Sequence, residues 1–85
     1  MKAREAYRPQ PMAANSSFTV KSQYLGGFLA TVAGTLSIVE VASGTTVVSA
    51  LPVAAGAFVR LAIMFATAEG GTVTLAGGAA GTLLI

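Results

Sequence analysis

Histidine, cysteine, tryptophan and aspartate are all absent from this chain of 85 residues. Without imidazole or thiol, no side chain titrates near neutrality at its ordinary pKa, and the usual soft-metal ligands are missing. Disulfide staples are excluded, so cysteine usage says nothing about the redox compartment. Charge is scarce as well. Five Lys and Arg and three Glu make up 9% of the residues, where about 25% is ordinary. Residues 24–85 carry only Glu40, Arg60 and Glu69, a net charge of −1, and residues 1–23 carry a net of +3.

What is present is apolar, at 54% of the chain. The length allows one domain, and a body so small buries only about 60% of its unfolded surface. With three charges on residues 24–85, such a body standing alone would leave large apolar patches in water. Either lipid or other protein has to cover them.

A lipid span would centre on Thr45 to Ala68, 24 weakly polar residues interrupted by Pro52, Gly56 and Arg60. An arginine near the middle of a span costs about 2.5–3.5 kcal/mol, and the many Ala, Gly, Ser and Thr return little of it. Met12 to Lys21 holds no apolar core of signal-peptide length, so no cleaved leader is expected. A single membrane span around residues 45–68 is therefore the second reading, behind one in which protein covers the chain.

The periodicity favours strands. Val59, Leu61, Ile63 and Phe65 fall on one face of an extended segment, and Phe58, Arg60, Ala62, Met64 and Ala66 on the other. Shorter runs rich in Val, Ile and Thr lie between glycines that suit tight turns. Six strands are expected, over roughly 26–33, 34–41, 45–51, 57–67, 71–76 and 81–85, with Pro52 ending the third. Gly-Thr recurs at Gly34, Gly44, Gly71 and Gly81, at the spacing of a meander of hairpins. The expected fold is all-β: a small antiparallel sandwich or barrel, oligomeric, with an extended N-terminal arm.

Alternate strand positions hold Thr31, Thr35, Ser37, Thr46 and Thr74 in place of Lys or Glu, so a second surface can approach without desolvating a charge. The terminal run with Leu83, Leu84 and Ile85 lacks a blocking Lys or Pro. It reads as a strand completed within an assembly. Phe58, Val59, Leu61, Ile63 and Phe65 join it as candidates for core or oligomer packing.

Residues 1–23 are different material: Pro9 and Pro11 flank Gln10, and Asn15-Ser16-Ser17 is loop chemistry. They read as an arm, disordered or laid across a partner, with a reach of about 75 Å at ~3.3 Å per residue. Tyr7, Pro9, Pro11, Met12, Phe18 and Val20 are its candidate anchors, and Lys2, Arg4 and Arg8 would pair with acidic groups. So few basic residues fall short of a nucleic-acid stripe. No catalytic, cofactor or metal site is expected either. A nucleophilic Ser has only Lys2 or Lys21 as a base, and the run Gly70–Gly81 lacks the Gly-Lys-Ser/Thr ending of a phosphate loop. Arg60 is expected to pair with Glu40 or Glu69.

The stretch GTTVVSALPVAAGAFVRLAIMFATAEGGTVTLAGGAAGTLLI, with near-charge-free strands and Gly-Gly turns behind an unstructured arm, resembles the head decoration or cement proteins of tailed bacteriophages. The likeness covers residues 24–85 and is one of texture, shared with head fibres, spikes and tail-tip pieces. It implies a virion protein, as a homotrimer or at joints between capsid subunits, whose arm lies on the major capsid protein. A third reading is a secreted fimbrial or adhesive β subunit that assembles by strand addition.

Overall fold

The computed structural model describes residues 9–85. Eight strands follow one another: β1 (Pro9–Met12), β2 (Ser17–Val20), β3 (Tyr24–Val32), β4 (Gly34–Glu40), β5 (Thr46–Val53), β6 (Phe58–Met64), β7 (Gly71–Ala76) and β8 (Ala80–Leu84). They form two four-stranded antiparallel sheets, in the orders β1-β8-β3-β6 and β2-β7-β4-β5. Both sheets have two free edges, so the architecture is an open sandwich and not a closed barrel.

Between the sheets lies one apolar core. Leu25, Phe28 and Leu83 of the first sheet meet Val20, Leu36, Ile38 and Val73 of the second, all fully buried. No polar or charged side chain is buried among the described residues. The expected alternation of β6 holds: Val59, Leu61 and Ile63 pack against the core, and Phe58 and Met64 face out. Phe65, just past the strand, is buried in the core.

The connections differ from a meander. Only β4 and β5 form a hairpin, closed by Gly44 at φ +72°. Every other connection carries the chain from one sheet to the other, including the single residue Ala33 between β3 and β4. Gly77 and Gly78, at φ +67° and +90°, turn β7 into β8 across the core. Gly44, Gly70, Gly77 and Gly78 have the positive φ of turn glycines, whereas Gly34, Gly71 and Gly81, also expected in turns, lie within β4, β7 and β8, and a glycine turn serves an arch between sheets as well as a hairpin within one.

Three further expectations are corrected. The 81–85 run is not an exposed edge awaiting a partner, because β8 lies between β1 and β3. Pro52 does not end its strand. It pairs with Thr35 inside β5, which tolerates a residue without a donor because it is an edge.

Residues 9–20, assigned to the arm, belong to the sandwich. β1 pairs with β8 from Pro9↔Leu84 to Met12↔Gly81, and β2 pairs with β7 from Ser17↔Thr74 to Val20↔Gly71. Met12 and Val20 are core residues. Asn15, at φ +56°, pins the corner between the two strands, its Oδ1 accepting the Gly78 N–H at 2.8 Å.

The edges β5 and β6 each carry an irregularity. Between Leu51 and Val48, β5 spends three steps where β4 spends two, and Ala50 sits there at φ +49°. Between Ile63 and Arg60, β6 does the same against β3, with Ala62 at φ +49°. The left-handed region costs a non-glycine residue about 1–2 kcal/mol, and glycine's extra unfolded-state entropy costs about 0.5–1 kcal/mol. Ala50→Gly and Ala62→Gly are therefore each expected to stabilise the fold by about 0.5–1 kcal/mol, read as a higher urea midpoint. A lower midpoint would show that the alanine methyls pack better than their backbone angles suggest.

Candidate assembly surfaces

Residues directly opposite one another in an antiparallel pair share a face, so the strand register gives the composition of each outer surface. On the first sheet, one outward row runs Pro11, Thr82, Leu29, Phe58, and the next runs Pro9, Leu84, Gly27, Arg60. Tyr24 and Met64 pair beyond them. Phe58 lies across the bare backbone of Gly27, since a Cβ added there would stand 2.7 Å from Phe58 Cζ. Leu29, Val32, Phe58 and Met64 are exposed, Met64 by 72%. Arg60 is the one charge in these rows.

The second sheet presents a different chemistry. Ser17, Thr74 and Ser37 align in one outward row, and Thr19, Thr72, Val39 and Thr46 in the next. Ser17 Oγ and Thr74 Oγ1 are 3.2 Å apart, and Thr19 Oγ1 and Thr72 Oγ1 are 3.1 Å apart, so neighbouring strands are laced by hydroxyl pairs. Ser37 Oγ accepts the Ala50 N–H at 2.9 Å, which satisfies the backbone of the β5 irregularity. These rows contain no charge. One broad face is thus apolar and the other hydroxylated.

The four edges are short or obstructed. β1 carries Pro9 and Pro11, β5 carries Pro52 and the turn at Ala50, and β6 has the one at Ala62. β2 is four residues long and is followed directly by Lys21. Prolines, irregularities and short length are the devices that keep sheet edges from recruiting further strands.

The two N-terminal edges lie on one flank, where Pro9, Gln10, Phe18, Thr19, Lys21, Ser22 and Ile85 line an open groove of about 530 Å³. A neighbouring groove of about 490 Å³ is lined by Thr19, Lys21, Val41, Ala68 and Glu69. Lys21 lines both grooves beside hydroxyls that have other partners, Ser22 Oγ accepting the Tyr24 N–H at 3.3 Å and Thr19 Oγ1 pairing with Thr72 Oγ1, and among the described residues no cluster of three potential metal ligands occurs.

Glu40 closes the β4–β5 end of the second sheet. Its Oε1 accepts the Ser43 hydroxyl at 2.6 Å and its Oε2 accepts the Ala66 N–H at 2.7 Å. The Ser43 hydroxyl, with the Ala66 N–H behind it, holds the carboxyl below the usual glutamate range. The expected pairing of Arg60 with Glu40 or Glu69 does not form among the described residues: these groups occupy the Glu40 carboxylate, and Arg60 stands on the outer face of the other sheet.

Of the residues expected to anchor an arm, Lys2, Arg4, Tyr7 and Arg8 lie outside the described residues. Pro9 and Pro11 are exposed on β1, Phe18 is half-buried against the core, and Met12 and Val20 lie within it. Of the packing candidates, Phe65 and Leu83 are core, Val59, Leu61, Ile63 and Ile85 pack against it, Leu84 is half-buried, and Phe58 faces out. Sequence reasoning missed Leu29 and Val32 as surface residues, because Phe28, Leu29 and Ala30 are all apolar and show no alternation until the structure buries the first and third. The segment proposed as a membrane span folds as β5, a turn and β6, which lie in different sheets. No helix of the described residues is long and apolar enough to cross a membrane. Compared with protein-family models, with curated proteins and with solved structures, the chain matches none.

Proposed function

We propose that this chain is a structural virion protein that decorates a phage head and strengthens it by covering joints between capsid subunits. The observation that carries this reading is the pairing of two broad charge-poor faces with obstructed edges. Such a block associates through its faces. It does its work by burying surface, with no enzymatic step and no cofactor. The resemblance of residues 24–85 to head decoration proteins supplies the biological setting.

The hydroxylated face suits a lattice that it must match without desolvating ions, since Ser and Thr can hydrogen-bond to a partner or to bridging water. The basic segment 1–8, with Lys2, Arg4 and Arg8 against Glu5, is the proposed tether to acidic groups on the major capsid protein. A tether raises the effective concentration of the face it holds. Fimbrial assembly by strand addition is the weaker reading, because the edges it needs carry proline or an irregular register.

The test is co-sedimentation of the purified chain with heads of its own virus stripped of decoration. The full chain is expected to bind. A form lacking residues 1–8 is expected to bind at least about tenfold more weakly, with an unchanged thermal midpoint. Failure of the full chain to bind would remove the virion reading. Undiminished binding of the shortened form would remove the tether.

A further inference from the structure

We propose that the apolar outer face of the first sheet is the surface on which a second copy of this chain docks. The inference rests on the assembly reading for its purpose, but its experiment needs no viral particle, so the two can fail separately.

Association through edges is opposed on β1, β5 and β6 by Pro9, Pro11, Pro52 and the left-handed Ala50 and Ala62. The second sheet also exposes Val39 and Val47, at 36% and 44%, but sets them among Ser and Thr whose hydroxyls hydrogen-bond to solvent, so its face can stay in water. The first sheet's face cannot do so at comparable ease: Leu29 and Phe58 are paired neighbours, 41% and 53% exposed, with Val32 (48%) beyond them, and Met64 (72%) pairs with Tyr24 (37%) at the other end of β3, with Gly27 and the half-buried Leu84 between. Isolated apolar side chains on a surface need no explanation, whereas a contiguous field of them marks an interaction site.

The occupant follows from size and charge. The molecule measures 34 × 29 × 17 Å, and two stacked sheets about 10 Å apart account for the thin dimension. The first sheet is four strands wide, with strands about 4.8 Å apart, and its longest strand, β3, has nine residues, so with its side chains it offers a face of several hundred Å², on the scale of the ~800 Å² per partner that a standard interface covers. A second copy brings a surface of the same area and apolarity, with one positive charge at Arg60. An apolar surface meeting itself is the isologous arrangement, the commonest closed symmetry among oligomers. Arg60 stands on the same edge strand as Phe58 and Met64 and between them, so a docked copy has to leave its guanidinium solvated at the open β6 edge, reached by its long side chain.

Light scattering of the native chain at micromolar concentration tests this. The expected mass is twice that of the 8.4 kDa single chain, the value for face-to-face pairing, and a threefold mass would overturn the isologous arrangement. Met64→Lys, and Leu29→Lys with Met64→Lys, are expected to reduce it to the single-chain value while the β circular-dichroism spectrum is retained. Thr19→Lys with Thr74→Lys, on the other face, is expected to leave the multiple intact. A single-chain mass for the native protein would overturn the proposal, as would a multiple that survives the Leu29 and Met64 changes. Co-sedimentation with phosphatidylcholine vesicles by a protein of single-chain mass would overturn it in favour of a lipid occupant. Dissociation by Thr19→Lys with Thr74→Lys would move the interface to the second sheet.

Discussion

Deleting residues 9–20 is expected to unfold the entire body, although these residues look like a dispensable leader. Met12 and Val20 are core residues at 6% and 0% exposure. Truncating a buried aliphatic side chain typically costs about 2–5 kcal/mol, and a domain of this size holds only about 0.05–0.15 kcal/mol of stability per residue. Two such losses already approach the whole. The deletion also strips β8 and β7 of one neighbour each and uncovers the core along that flank. Circular dichroism of the shortened chain should show loss of the cooperative thermal transition. The comparison with removal of residues 1–8 alone is decisive, since that change leaves both strands in place. A cooperative transition surviving loss of residues 9–20 would mean that β3 to β8 form a sandwich without their outer strands.

The second large effect belongs to Gly70. It sits at φ +73°, donates its N–H to Thr67 O at 3.2 Å, and accepts the Val41 N–H at 3.1 Å. A Cβ there would overlap Val20 O and lie 2.8 Å from Ser22 O. Both obstacles are backbone, so no side-chain rotation relieves them. Gly70→Ala combines left-handed strain of about 1–3 kcal/mol with overpacking of about 1–3 kcal/mol, and about 3–5 kcal/mol of destabilisation is expected. Gly56 is the control. It has φ +82° but open space around its Cβ position, so Gly56→Ala carries the strain alone, about 1–2 kcal/mol. Equal urea midpoints for the two variants would show that Val20 and Ser22 yield, and that the close approach is not fixed.

The strands of the body were legible because each is a run of β-branched and aliphatic residues bounded by glycine, and β6 alternates cleanly over Phe58–Met64. The two N-terminal strands were not. Ser17-Phe18-Thr19-Val20 does alternate, with Phe18 and Val20 inward, but four residues are too few for a period to stand out. Pro9-Gln10-Pro11 suggested polyproline, whose backbone angles lie close to those of an edge strand. Strand order was hidden for another reason. Glycine turns are local, and whether a strand returns beside its predecessor or crosses to the opposite sheet is decided by which apolar faces meet. The contrast between the two outer faces needed the register too: Leu29 and Phe58 are 29 positions apart in the sequence and become neighbours only when β3 pairs with β6.

The pairing of β1 with β8 and of β2 with β7 joins strands at opposite ends of the described residues. During synthesis the early strands emerge with no neighbour to receive them, and only the β4–β5 hairpin can close from local sequence. The remaining ladders wait until distant parts of the polypeptide meet, and loop closure of that kind slows folding. A nascent chain of this protein therefore exposes its future interior for most of its elongation, and its yield in a cell should rise with holdase chaperone supply.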